Sequence, residues 1–198
     1  MKKTTALIVM LATAPAALAQ ECGGDFAAWR AGIEQEAQAA GVGQRGLAAL
    51  ANARIDQRVL QRDRAQGVFT QTFIEFAGRM INGYRLEHGA NHLRRQADVF
   101  ARAERDYGVP GPVITAFWAL ETDFGAVQGD FNTRNALVTL AHDCRRPELF
   151  RPQLLALIEM VQHGDLDPAS NTGAWAGEIG QVQMLPEDII RYGVDGDG

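Results

Sequence analysis

The sequence predicts an all-α protein. Three observations carry that expectation. Apolar residues recur at helical spacing along most of the chain, Pro and Gly fall where those segments end, and no useful stretch alternates with a strand period. With 198 residues, 46% of them hydrophobic, one domain with a sizeable core is expected. A formal charge of −5 leaves no basic footprint, so nucleic acid is not an expected partner. Two cysteines exclude a disulfide scaffold and a Cys-only zinc site.

Residues 1–19 read as a signal peptide. Lys2 and Lys3 form a positive start, Ala6 to Ala12 is too short to span a bilayer, and Ala17-Leu18-Ala19 is a small-x-small cleavage site. The mature chain then begins at Gln20. Glu21 stands before Cys22, where a lipoprotein signal needs a small residue. The mature chain has 17 Arg, no Lys and 24 acids, a charge of −7. Export places Cys22 and Cys144 in an oxidising compartment, where an even pair closes; two free thiols are the alternative. No other apolar run is long enough for a transmembrane span.

The remaining elements follow in order. Phe26, Trp29, Ile33 and Ala37 share one helical face behind Asp25 as cap, and Gly41-Val42-Gly43 ends that helix. Residues 45–66 hold short Arg- and Gln-rich pieces around Leu47, Leu50, Ile55 and Leu60. Residues 68–82 place Phe69, Phe73, Phe76 and Met80 on one face. Asn91 to Tyr107 reads as one helix, with Leu93, Ala97, Phe100 and Ala101 inward and Gly108 at its end. Pro110 and Pro112 open an apolar helix from Val113 to Asp123, closed by Gly125. Asn132 or Thr133 caps the next, through Leu137 and Leu140. Pro147 opens another, through Leu154, Leu157, Ile158 and Val161 to Gly164, with a break expected at Pro152. Asp165 to Pro186 is a Gly-rich loop.

Glu121 stands out. Positions 113, 117, 120 and 124 form one apolar stripe, and 114 and 118 begin a second that Glu121 continues. A helix apolar on two faces is expected to be buried. Burial and the helix C-terminus would both hold a proton on this carboxyl, which suits a general acid. The plainer alternative is a glutamate at the helix exit that reaches solvent or pairs with arginine. The second informative stretch is Gly173-Ala-Trp175-Ala-Gly-Glu178-Ile-Gly-Gln181-Val-Gln183-Met184-Leu-Pro186. Glycines let backbone approach a ligand closely, and an aromatic ring beside amides suits a sugar. The alternative is a tight structural loop with Trp175 in the core.

These residues resemble a known family. Trp118-Ala-Leu-Glu121-Thr-Asp-Phe-Gly125, Asn135-Ala-Leu-Val-Thr-Leu-Ala141, Arg145-Arg146-Pro-Glu-Leu-Phe150 and the Gly173–Pro186 stretch are similar, in order, to motifs of the lytic murein transglycosylase B family. The resemblance runs from about residue 22 to the end. It implies a lysozyme-like α-helical fold and cleavage of the MurNAc–GlcNAc β-1,4 bond of peptidoglycan without water, leaving 1,6-anhydro-MurNAc ends. It implies Glu121 as the one catalytic acid and base. It also implies Arg145, Arg146, Gln183 and Met184 as substrate-binding residues, and Trp175 and Gln181 join them on the aromatic-beside-amide chemistry. No cofactor is required. Peptidoglycan strands are the expected partner, the periplasm the expected location, and a monomer the expected state. Residues 20–198 would be the catalytic domain, incomplete because family members continue further, with the C-terminal part of the lobe missing.

This sequence departs from the family pattern in places. Ala174 replaces a frequent Ser, Leu149 a frequent Tyr, and Glu178 a small residue. Asp195 and Asp197 look like the opening of a calcium loop that would be completed only if the chain continued past Gly198; a solvated acidic tail is the alternative. Two other readings remain. A lysozyme-like muramidase would use water, with Asp123, Asp130 or Glu178 as base. A murein-binding fragment would cleave nothing. His88 and His92, four residues apart, lack a clear third metal ligand and read as surface histidines.

Overall fold

The computed structural model describes residues 22–65 and 71–196. The expected signal peptide, Phe69 and Asp197 lie outside the described residues. Ten helices and one two-stranded sheet are described.

Helix α1, Phe26–Ala39, starts at Asp25, whose side chain accepts from the Ala28 N–H. It turns Trp29, Ile33 and Ala37 inward as the spacing predicts. Helices α2 (Gln44–Ala51) and α3 (Gln57–Arg64) are the short pieces expected from 45–66. Helix α4, Phe73–Met80, opens with a capping box between Thr72 and Glu75. Asn82 then caps α5, Gly83–Arg95, and α6 runs Ala97–Tyr107. The chain continues through α7 (Gly111–Thr122), β1 (Phe131–Asn132), α8 (Thr133–His142) and α9 (Pro147–His163). It ends in β2 (Thr172–Gly173) and α10 (Pro186–Tyr192). Strands β1 and β2 are antiparallel, Phe131 opposite Gly173.

The core lies around α8 and α9, which α1, α2, α3 and α10 enclose. Helix α8 is buried continuously from Thr133 to Ala141. Its polar side chains from Thr133 to Thr139 are hydrogen-bonded. Asn132 caps it and donates to the carbonyl of Pro168. Asn135 accepts the Arg54 N–H, and Thr139 accepts the Asp56 N–H while donating to the Asn135 carbonyl. Buried polar groups persist only with such partners. Cys22 and Cys144 are disulfide-bonded, which ties the start of the described chain to the residues after α8.

Helices α4 to α7 form a thinner group in which α7 packs on α5 and α6. Four expectations are corrected here. Helix α7 is not buried on two faces: Phe117 is 61% exposed and Leu120 46%, while Gly111, Thr115, Ala119 and Thr122 face its neighbours. Helix α4 buries nothing, with Phe73 77% exposed. The single helix expected from Asn91 is two, broken at Gln96, so Phe100 points inward and Ala97 and Ala101 do not. Helix α9 runs through Pro152 unbroken. Pro152 lies on its solvent side, where the freed Glu148 carbonyl can turn to water.

Candidate active site

The end of α7 and the turn between Gly173 and Pro186 are fastened together. Thr122, buried in the last turn of α7, donates its hydroxyl to the Gln181 carbonyl and accepts the Gly125 N–H. One turn earlier, the Trp118 indole donates to the Gln181 side chain at 2.8 Å. Asp123 and Phe124 take left-handed conformations, so the helix stops at Thr122, one residue before the expected Asp123. The Arg85 guanidinium holds Asp123 at 2.6 Å. Glu121 therefore projects, exposed, from a helix end fixed on both sides.

The turn is a small hairpin. Ala174 N–H donates to the Glu178 carbonyl, and Ile179 and Met184 exchange backbone bonds. Gly177, at φ +94°, lies against Leu137 of α8, where a Cβ would come within 2.3 Å of that side chain. Only glycine lets the turn sit this close to the core.

Two carboxyls in this region are perturbed. Burial raises Glu178, and the charge of Glu121 adds to it. The backbone N–H groups of Glu178 and Ala176 and the Arg146 guanidinium oppose, without cancelling. Its Oε2 is buried with no hydrogen-bond partner. Asp63, 1% exposed at the end of α3, would be raised by burial, but hydrogen bonds from Arg145 and Arg146 hold it below the usual carboxylate range.

The sequence matches the family described as transglycosylase SLT domain over residues 25–198. The chain belongs to that family. It is 30% identical over 129 residues to the membrane-bound lytic murein transglycosylase B of Escherichia coli (strain K12), spanning 64% of this chain and 36% of that protein. The crystal structure of SltB3 from Pseudomonas aeruginosa in complex with NAG-NAM-pentapeptide superposes with a TM-score of 0.82 at 33% identity, over 89% of this chain and 47% of that one. An Escherichia coli lytic transglycosylase in complex with calcium gives 0.73 at 28% identity, over 94% and 62%. The chain thus spans 36% of the curated relative and 47% of SltB3. The all-α, lysozyme-like architecture is that of these transglycosylases.

Within this SLT-domain chain the candidate residues separate into two places. Glu121 and Gln181 stand together at the α7 end, with Gln183 donating to the carbonyls of Gly180 and Gln128 nearby. Met184 is half-buried on the hairpin's return strand, and Trp175 is half-buried against the core. Arg145 and Arg146 are directed to Asp63, and Arg146 also covers the Phe150 ring. A separate groove of about 580 Å³ between α1, α9 and α10 contains none of these residues.

Three residues escaped the sequence reading. Trp118 and Thr122 were legible as positions one turn before and one residue after Glu121, and Asp63 left no signal among its arginine neighbours. His88 and His92 are half-buried and make tilted ring contacts, His88 with Tyr84 and His92 with Trp118 and Phe124. Asp195 is exposed after α10. Among the described residues no three His, Cys, Asp or Glu groups converge on a metal position. Asp195 and Asp197 alone supply fewer oxygens than the six to eight that calcium takes.

Proposed function

We propose that this chain carries the catalytic glutamate of a peptidoglycan lytic transglycosylase. The carrying observation is Glu121: an exposed carboxylate at the end of α7, fixed against the Gly-rich turn through Thr122, Trp118 and Gln181. Membership of the transglycosylase SLT domain family supports it. So does likeness to SltB3, whose structure holds a NAG-NAM-pentapeptide.

In this reading Glu121 gives its proton to the glycosidic oxygen between MurNAc and GlcNAc as the C1–O bond breaks. The resulting carboxylate then takes the proton of the C6 hydroxyl of the same MurNAc, and O6 closes on C1. The product is a 1,6-anhydro-MurNAc end, and no water is consumed. One carboxyl serves both steps because the substrate supplies the nucleophile, whereas hydrolytic glycosidases use two. Gln181, Gln183 and Met184 flank the sugar. The half-exposed edges of Arg145 and Arg146 and the Trp175 ring complete the binding set. Residues 1–19 export the chain to the periplasm, where the Cys22–Cys144 bond persists.

The test is digestion of purified peptidoglycan by this chain and by Glu121→Gln, with glycan ends read by mass spectrometry. Anhydro ends, lighter by one water and absent with the variant, are expected. Reducing ends would establish a muramidase that uses water. Binding without cleavage would leave a murein-binding module.

A further inference from the structure

Half-buried arginines of this chain are given a carboxylate: Arg85 holds Asp123, and Arg151 holds Glu36. Arg134, in the first turn of α8, is buried more deeply, at 8% exposed. Among the described residues it nevertheless has no carboxylate within ion-pair distance. Its Nε donates to the Asn135 Oδ1 at 3.3 Å, and its two terminal nitrogens have no acceptor there. Unlike the Arg146 Nε, those nitrogens are not shut off from solvent, so the guanidinium fork faces an opening. The same Asn135 oxygen accepts the Arg54 N–H at 3.1 Å. A second arginine, exposed and without an ion pair among the described residues, therefore stands beside the first. The start of α8 adds a third donor. The Thr133 N–H gives to the Asn171 carbonyl and the Asn135 N–H to the Asn132 side chain, which leaves the Arg134 N–H over. Asp167 is the acid whose charge reaches Arg134, but its oxygens accept from the Ala169 N–H and the Ser170 hydroxyl. A buried cation without a paired anion is costly.

We propose that Arg134 and Arg54 form an oxyanion-binding site at the start of α8, which takes a carboxylate or phosphate group. A guanidinium fork presents two parallel N–H groups to two oxygens of such an anion. Arg134 supplies the fixed fork, held through Nε on Asn135, and Arg54 closes on the anion from the surface. Burial, and after it the charge of Arg54, lowers Arg134 from the usual arginine range, a cost that a bound anion removes. Neither arginine belongs to the set around Glu121, so the inference goes beyond the catalytic reading and does not depend on it. The site does lie next to the root of the Gly-rich turn. Thr133 holds Asn171 through backbone and side chain, and Asn171 leads directly into β2. The anion has two sources: free phosphate, or the carboxylate end of a peptide.

The test is a titration of this chain with inorganic phosphate and, separately, with acetyl-D-Ala-D-Ala, at ionic strength held constant with choline chloride. Two readouts are followed: the assigned arginine Nε–Hε resonances and the Tm. A saturable shift of the Arg134 Nε–Hε resonance is expected. At several times the Kd the anion should raise Tm by about 2–4 °C. Arg134→Gln should abolish both responses. Arg54→Gln, a surface change that leaves the fold intact, should weaken binding about 3-fold or more. A response to phosphate alone assigns the site to free phosphate, and a response to the dipeptide assigns it to a peptide carboxylate. No saturable Arg134 shift with either probe overturns the proposal, as does a Tm gain that Arg134→Gln retains. Unchanged affinity in Arg54→Gln overturns the part given to Arg54. Neither readout requires peptidoglycan cleavage, so a chain that binds the anion but cleaves nothing would overturn the catalytic reading and leave this site standing.

Discussion

Helices α7 and α8 invert what their compositions suggest. Helix α7, with Val113, Ile114, Phe117, Trp118 and Leu120, is the greasier, yet Val113, Phe117 and Leu120 face outward. Helix α8 carries two Thr, an Arg and an Asn, yet nine consecutive residues are buried. The difference lies in the neighbours. Helix α8 is surrounded by α3, α9, β1 and the Gly177 turn. Among the described helices, α7 packs on α5 and α6 through a stripe of small residues: Gly111 lies against Phe100, and Thr115 against Gly89. Small residues permit close approach on that side, so the large apolar ones are left on the other. Burial follows enclosure, and polar groups tolerate it when each finds a partner.

That contrast predicts a ranking of mutational effects, measured by urea denaturation. The largest should come from Asp63, which holds Arg145 and Arg146 beside the α8–α9 core. Asp63→Asn is expected to cost about 3–5 kcal/mol at neutral pH, since the charged hydrogen bonds from Arg145 and Arg146, each worth about 1.5–3 kcal/mol, lose their buried acceptor. The folded carboxyl titrates below its unfolded value. Its stabilisation is therefore full above the unfolded range and lost as pH falls through the folded one. The gap between wild type and variant should accordingly narrow below about pH 4. A constant gap down to pH 2 would show that the ion cluster is not its source.

Leu137→Ala comes next, at about 3 kcal/mol, because the side chain is fully buried and Gly177 rests on it. Asn135→Ala should cost about 1–3 kcal/mol by stranding the Arg54 N–H. Phe117→Ala on α7 should change stability by less than about 0.5 kcal/mol, despite removing a phenyl ring. A Phe117 effect as large as that of Leu137 would break the comparison and place the outer face of α7 in an interface.

Much of this molecule was legible beforehand. The helical period, the cap Asp25, the α8 cap at Asn132 or Thr133 and the stop at Gly164 came from local chemistry, which acts within a few residues. The motif around Glu121 was legible for the same reason: its spacing on one helix is fixed by the helix itself. The two-helix break at Gln96, the unbroken run through Pro152 and the exposure of α4 were not, because each depends on which face meets a neighbour.

The sequence by itself determined an all-α chain with a candidate carboxylate at a helix end and a glycine-rich turn. Only the tertiary structure decided that this turn is tied to Trp118 and Thr122, and that Arg145 and Arg146 answer to Asp63. Those contacts join residues up to 83 positions apart. Local propensity does not specify such pairings. They are set when packing around α8 fixes where each side chain can go.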